Sequence, residues 1–434
     1  MTDSLTRRDF LKQTSAWTAG LAALGSATAL HGAKSPNEKV VIAIVGCNSR
    51  GLAHIDGYLP LPHVEIGYVC DVDSRAVAKG VAAVAKKQQK PAQGVKDFRS
   101  ILDNPDVDAI SIATPDHWHA PATILACAAG KHVYVEKPGS HNLREGELMV
   151  AAARKYKRVV QMGNQRRSWP WVIESIEALH AGELGRVCFA RGWYTNHRTS
   201  IGHGKPAPVP DWLDYSLWQG PAPERPFQDN IIHYKWHWFW NWGTGEIGNN
   251  GVHSLDLARW GLQVDLPQRV TCGGKRYFYQ DDWETPDTMI ATFDFGDKGI
   301  VWEGQSCAPR GFEGASVGVN FYGEKGCMAM AGNDCTIYDL NSKVVREIKS
   351  KRDGLFDFDT VHFGNFLDAI REGKSLKSEI QDGQKSTALC HLGNIAWRTG
   401  HTVDFDPKTR KIVGDAAAVA LASRTYRPGW EPKV

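Results

Sequence analysis

Between Lys39 and Met162, apolar β-rich runs alternate with helical stretches, and this alternation constrains the fold more than any other feature of the chain. Val40 to Val45 is a continuous apolar run, as expected of a strand buried on both faces. A glycine turn and a helix follow, then Val64 to Cys70 as a second strand ending at Asp71. Further along, the pattern predicts helices over Ser74 to Lys87, Pro121 to Ala129 and Asn142 to Lys155. Strands are expected over Val107 to Ala113, His132 to Val135 and Val159 to Met162. Such an order predicts a parallel sheet covered by helices on both faces. A chain of 434 residues exceeds one core, so a second domain is expected.

The turn Gly46-Cys47-Asn48-Ser49-Arg50-Gly51 supplies the first and last glycines of G-x-G-x-x-G, with Asn48 in the middle place. Asn tolerates positive φ, so a tight turn survives, although backbone approach to a pyrophosphate is less free. A strand precedes the turn, a helix follows it, and Asp71 stands 20 residues after Gly51 at a strand end. An acid there accepts hydrogen bonds from an adenosine ribose. Gly46, Asn48, Ser49, Arg50, Gly51 and Asp71 therefore read as a dinucleotide site. The carboxylate would repel a 2′-phosphate, which favours NAD, while Arg50 and Arg75 leave NADP open.

Two further segments fall at the carboxyl ends of predicted strands, where open α/β sheets bind ligands. Thr114-Pro115-Asp116-His117-Trp118-His119 follows one, and Glu136-Lys137-Pro138 follows another. With these motifs the chain resembles the Gfo/Idh/MocA oxidoreductases (glucose–fructose oxidoreductase, inositol dehydrogenase and rhizopine-catabolism proteins), whose hallmark is Glu-Lys-Pro. The resemblance covers nearly all of residues 38 to 408. It implies an α/β fold: a Rossmann NAD(P)-binding domain over 36–160, then an α+β substrate domain with a large open, mostly antiparallel sheet over 161–408. Residues 409–434 form a C-terminal extension. It also implies that Thr114, Pro115, His119, Glu136, Lys137 and Asn164 lie near the cofactor, that the substrate is a sugar, glycoside or polyol, and that a homodimer or homotetramer forms through the outer face of the sheet.

Alcohol oxidation requires loss of the hydroxyl proton. A lysine partly desolvated beside a cationic nicotinamide has its pKa lowered and exchanges a proton near neutrality. Lys137 fits this role, Glu136 is expected to orient it, and Pro138 stiffens the loop. In Gly243 to Asp256, the residues Asn249, His253 and Asp256 recur at helical spacing. In the resembling family this helix carries an Asp four residues before a His, both facing the substrate. His253 fits the histidine, but Asn249 stands where the Asp is expected, and an amide cannot act as a base. Lys137, His253 and Asn249 are thus the catalytic candidates, with Asp256 read chiefly as a helix-holding residue.

Tyr234 to Trp242 carries six aromatic rings in nine residues, within a chain of 16 Trp. Trp236 and Trp238 read as a sugar-stacking wall on a loop folded over the site, a subunit interface being the alternative. Arg166 and Arg167 follow Asn164 and suit a hydroxyl cluster or a carboxylate, or else a paired surface role. Tyr194 and His197, beside Asn196 at the end of a strand from Val187, complete the substrate candidates. His362 to Arg398 reads as two helices, with His391 either near the site or packed.

Thr6-Arg7-Arg8-Asp9-Phe10-Leu11-Lys12 reads as a twin-arginine signal, followed by an apolar stretch from Thr14 to Leu30 too weak for a stable membrane span. Cleavage is expected near Ala27 and Ala29, or at Ala33. Residues 1–35 are thus signal and linker. Export in the folded state by the twin-arginine machinery predicts an extracytoplasmic or periplasmic location and a cofactor loaded beforehand. A net charge of +3 without a basic stripe argues against nucleic acid. The nine Cys show no C-x-x-C, and no zinc-ligand spacing occurs. Two reactions remain: net hydride transfer, or redox-assisted glycoside hydrolysis or elimination with transient sugar oxidation. A non-enzymatic binding subunit is a third reading, against which the intact Lys137 and His253 argue.

Overall fold

The computed structural model describes residues 38–350 and 358–434. The twin-arginine segment lies outside these residues. In the first domain six strands form one parallel sheet: β1 (Val40–Val45), β2 (Val64–Cys70), β3 (Gln93–Val95), β4 (Ala109–Ile112), β5 (His132–Val135) and β6 (Val160–Met162). Helices α1 (Arg50–Tyr58), α2 (Ser74–Ala85), α3 (Arg99–Leu102), α4 (Asp116–Ala128) and α5 (Leu143–Lys155) connect them. The strand order β3-β2-β1-β4-β5-β6 reverses direction between β1 and β4. That switch point opens a crevice at the carboxyl ends of the strands, the ligand position of doubly wound sheets.

Two local expectations differ from the structure. Gln93–Val95 is a short edge strand, two of whose three residues are exposed, so it lacks an apolar signature. Helix α4 begins at Asp116, and Pro121 lies inside it. Burial of almost every side chain of α4 compensates for the hydrogen bond that proline removes. By contrast, α5 starts as the sequence suggests, with Asn142 accepting from the Glu145 N–H as its cap.

The second domain is built on ten strands: β7 (Val187–Thr195), β8 (Arg269–Lys275), β9 (Thr288–Asp294), β10 (Gly299–Gln305), β11 (Val317–Gly323), β12 (Gly326–Ala331), β13 (Asp334–Asp339), β14 (Val344–Ile348), β15 (Val403–Asp406) and β16 (Lys411–Val413). Only the β7–β10 pairing is parallel; the other pairings in this sheet are antiparallel. In β9 burial alternates strictly, Met289, Ala291 and Phe293 inward and Ile290, Thr292 and Asp294 outward, the pattern of a sheet covered on one face. Elements on the covered face include α6 (Pro170–His180), α8 (Val252–Leu262) and α10 (Ile380–Thr399), which share a core with Trp302, Phe321 and Phe293. Helix α9 (Phe358–Glu372) belongs spatially to the first domain, where Phe363, Phe366 and Leu367 pack with Ile42, Ile55 and Tyr58. Between β7 and α8 runs a long strap, residues 196–246, carrying the short helix α7 (Tyr215–Gln219) and a core of its own around Trp218, Trp238 and Trp242. The chain ends beyond α11 (Ala416–Ala420) by crossing back to the first domain.

Candidate active site

The glycine turn sits where β1 ends. Gly46 has φ +83°, and a Cβ there would lie 2.6 Å from the Ala113 carbonyl oxygen, so only glycine lets the turn meet the end of β4. The left-handed position is thus Gly46 and not Asn48, whose φ is ordinary. A Cβ on Gly51 would lie 1.9 Å from the Gly46 oxygen, which fixes the helix against the turn. Asp71 accepts from the backbone N–H of Cys47 at 2.8 Å and of Asp73 at 3.0 Å. Burial pushes its carboxyl above the usual range, and those two donors oppose the rise.

Gly46, Asn48, Ser49, Arg50, Asp71, Thr114, Pro115, His119, Glu136 and Lys137 line one cavity of about 440 Å³, closed from the second domain by Asn249 and the strap. Two groups beside the crevice fit a polar ligand. Thr114 Oγ1 is buried without a partner, and Asn164, only 1% exposed, has neither amide atom hydrogen-bonded. Unpaired buried polar atoms are costly unless a ligand or water satisfies them. Neither arginine near the ribose end is free for a 2′-phosphate. Arg75 is held on Asp73 by three bonds of 2.8–3.1 Å and lies 3.4 Å over the Trp212 ring. Arg50 donates to Glu136 at 2.7 Å and to Asp359 at 2.6 Å. The donor set therefore suits NAD.

At the other end stands Lys137. Its Nζ donates to the Asn249 carbonyl oxygen at 2.7 Å and faces Asn249 Oδ1 at 3.3 Å. Burial lowers its pKa below that of an ordinary lysine, with Glu136 and Asp116 acting in opposition. Glu136 accepts from Arg50, from His54 Nε2 at 3.0 Å and from Gln165 at 3.1 Å. Burial alone would raise its pKa, but Arg50, His54 and Lys137 hold it well below the usual carboxylate range. Glu136 meets Lys137 at the backbone N–H, 3.2 Å away, so it anchors the loop and supplies charge, while Asn249 positions the ammonium. Asn249 lies in a π-helical turn, Ile247–Gly251, that opens into α8. Such turns recur at functional sites because they re-aim side chains. The Asn249 amide also reaches Glu246 at 3.4 Å, and Arg198 clamps Glu246 at 2.6 and 3.2 Å. His253, at the start of α8, has an unpartnered Nδ1, and burial, then Lys137 and Arg166, keep its ring neutral.

The aromatic segment divides. Tyr234, Trp236 and His237 line the cavity, with the His237 ring stacked 3.6 Å from Trp236. Trp238 does not: it stacks 3.9 Å from Trp283 inside the core of the strap. A run with no clear period gave no sign of which rings turn inward. Arg167 is likewise committed elsewhere, bonded to Asp256 at 2.8 Å and to Asp382, which makes Asp256 a structural partner. His197 is exposed, its backbone N–H bonded to Asn196. Tyr194 accepts from Asn196 at 2.6 Å and feels Glu246. His391 packs against Ser140. Gly51 lies beneath the turn instead of lining the cavity.

The Gfo/Idh/MocA oxidoreductase family, NAD-binding Rossmann fold, matches residues 40–164, and its C-terminal alpha/beta domain matches residues 187–432. The chain belongs to this family. It carries the family's NAD-binding Rossmann domain followed by its C-terminal alpha/beta domain. A glycosyl hydrolase family 109 protein of Saccharopolyspora erythraea is 31% identical over 209 residues, 43% of this chain and 45% of that protein. The levoglucosan dehydrogenase of Pseudarthrobacter phenanthrenivorans is 28% identical over 228 residues, half of each chain. This chain thus spans about half or less of the length of the curated relatives it matches. An aldose–aldose oxidoreductase from Caulobacter crescentus, solved with glycerol, superposes with a TM-score of 0.66 at 18% identity, over 85% of this chain and all of that one, a likeness of fold.

Several contacts of the site emerge only in three dimensions. His54 and Gln165 hold Glu136, Asp116 accepts from Thr244 Oγ1 at 2.7 Å and feels Lys137, and Arg198 with Glu246 braces Asn249. Except for Glu246 and Asn249, the paired residues lie far apart in sequence. Among the described residues no group of three or more His, Cys, Asp or Glu is placed to hold a metal ion, and no helix is long and apolar enough to cross a membrane.

Proposed function

We propose that this protein oxidises a secondary hydroxyl of a sugar, glycoside or polyol, with NAD held in the crevice at the carboxyl ends of β1 and β4. The observation that carries this reading is Lys137 Nζ, held by Asn249 at the mouth of the dinucleotide cavity and made less basic by burial. When bound, the nicotinamide supplies the hydride acceptor. Lys137 in its neutral form takes the hydroxyl proton, and Asn249 fixes its direction. His253, kept neutral, donates or accepts at the substrate through the ring edge left without a protein partner. The strap residues Tyr234, Trp236 and His237 exclude water and offer flat faces to a ring. A glycoside and aldose panel tests this: the reduced-nicotinamide band should grow with the appearance of a keto-sugar.

A second reading is favoured by the glycosyl hydrolase family 109 relative. Here the same oxidation is transient, a glycosidic bond is eliminated, water adds and the sugar is re-reduced. Cleaved glycoside without net NADH would establish it. We also propose export of the folded protein by the twin-arginine route and assembly into a homodimer or homotetramer through the outer sheet face. Phe189, Ile290 and Tyr322 are exposed on that face. Fractionation of cells carrying Arg7→Lys with Arg8→Lys tests the export: the protein should stay in the cytoplasm.

A further inference from the structure

The cavity that holds Lys137 is also lined by a strap histidine, His237, whose ring stacks 3.6 Å from Trp236. Neither arginine expected to meet substrate lines that cavity: Arg167 is bonded to Asp256, and Arg166 lies 4.8 Å over the Trp169 ring. The backbone that carries His237 takes an unusual course. The Lys235 N–H bonds the His233 carbonyl oxygen at 3.1 Å across Tyr234, whose φ of +76° and ψ of −45° make this a γ-turn of the rare, strained kind. Such strain persists only where the surroundings over-determine it, and it gathers at ligand sites. Here Arg198, which clamps Glu246, donates to the Tyr234 hydroxyl at 2.7 Å. On the other side, Gly243 packs so close to the His237 backbone that any Cβ would collide with it. Glu246 also takes the Asn249 amide, so one network fixes both the strap turn before His237 and the residue that holds Lys137.

The tautomer of His237 follows from its partner. Nδ1 meets the Tyr234 carbonyl oxygen, which can only accept, so Nδ1 carries the hydrogen and Nε2 the lone pair. Burial lowers the ring's pKa to about 3; the bond to Tyr234 opposes the fall, while Lys137 and Arg198 add to it. A ring that stays neutral offers an acceptor, and acceptors are scarce at this end of the cavity. Glu136 already receives Arg50, His54 and Gln165, Asp116 receives Thr244, and the Asn249 carbonyl oxygen receives Lys137. A sugar brings several hydroxyl donors into such a site, and a donor left unpaired there is costly.

We infer that His237 Nε2 accepts the hydrogen of a second substrate hydroxyl, distinct from the one oxidised, which makes it a specificity-determining residue supplied by the strap. This rests on the sugar-oxidoreductase reading above. The test uses the NAD-loaded full chain with glucose, galactose, their methyl glycosides and the monodeoxy forms of each, turnover being followed by nicotinamide reduction. In the wild type one monodeoxy form, lacking a hydroxyl other than the oxidised one, should lose about tenfold or more in kcat/KM against its parent. His237→Phe keeps a flat ring beside Trp236 without the acceptor, so the parent sugar should fall to the level of that deoxy form and the two should become equal. His237→Gln should restore part of the difference. Each comparison sets two sugars against one protein, so a smaller folded fraction cancels out of it. The absence of a tenfold difference in the wild type, or a difference that survives in His237→Phe, overturns the inference while wild-type reduction leaves the oxidoreductase reading standing. Weaker NAD binding in His237→Phe with the deoxy discrimination intact would assign the ring to the cofactor and overturn it too. Failure of every parent sugar to reduce the nicotinamide sinks that reading for these sugars, and this inference with it.

Discussion

At the residue scale the proposed chemistry turns on one amine. Lys137 is a base only when neutral, so kcat/KM for alcohol oxidation should rise with pH as its ammonium loses a proton. Burial places that rise below the ordinary lysine value of about 10.4. Asp116 favours the ammonium, so Asp116→Asn should move the rise to lower pH; a pH–rate profile moving upward would contradict the assignment. Lys137→Ala should lower kcat by about 10²–10⁴ and still retain NAD, because the dinucleotide's other contacts are untouched. Isothermal titration and single-turnover rates separate the two effects. Both Lys137 and His253 were legible in the sequence, since Glu-Lys-Pro follows a strand and the histidine falls at helical spacing. The brace of Arg198 on Glu246 was not, because it joins residues 48 apart, from the strap to the turn that carries Asn249.

At the element scale, the strap and the C-terminal tail work against each other's freedom. Arg424 bonds the Asn241 carbonyl oxygen and His141, Tyr426 donates to Glu145 at 2.8 Å, and Arg427 holds Ser216. Trp430 meets Trp118, a cavity-lining ring, edge to face at 5.4 Å. The tail thus pins the strap onto the dinucleotide domain. Trp430→Ala removes an aromatic pair worth roughly 1 kcal/mol, so NAD release should quicken severalfold. Stopped-flow release with an unchanged rate would show that the tail does not hold the strap. Periodicity revealed the parallel-sheet strands well because both faces are buried. It missed β3, which is half exposed, and it could not sort the rings between Tyr234 and Trp242, where the chain follows no regular period.

At the scale of the whole molecule, α9 returns to the first domain, as the C-terminal tail does, and sets Asp359 on Arg50. No periodic signal carries such a return, although the two helices of that region were evident. The large sheet exposes Phe189, Ile290 and Tyr322 on its outer face. Ile290→Glu combined with Tyr322→Glu should shift the protein to monomer in light scattering with little loss of thermal stability, since both side chains are exposed. A wild-type monomer would remove the sheet from consideration as an interface.

The central claim is that this fold holds NAD and uses Lys137 to take a proton from a sugar hydroxyl. The most direct test is single-turnover absorbance of the NAD-loaded protein, wild type and Lys137→Ala, against neutral and acidic sugars and their glycosides, with product analysis. The account predicts near-stoichiometric nicotinamide reduction and a keto-sugar in the wild type, both lost in a variant that still carries NAD. Undiminished reduction or undiminished glycoside cleavage in Lys137→Ala would contradict it.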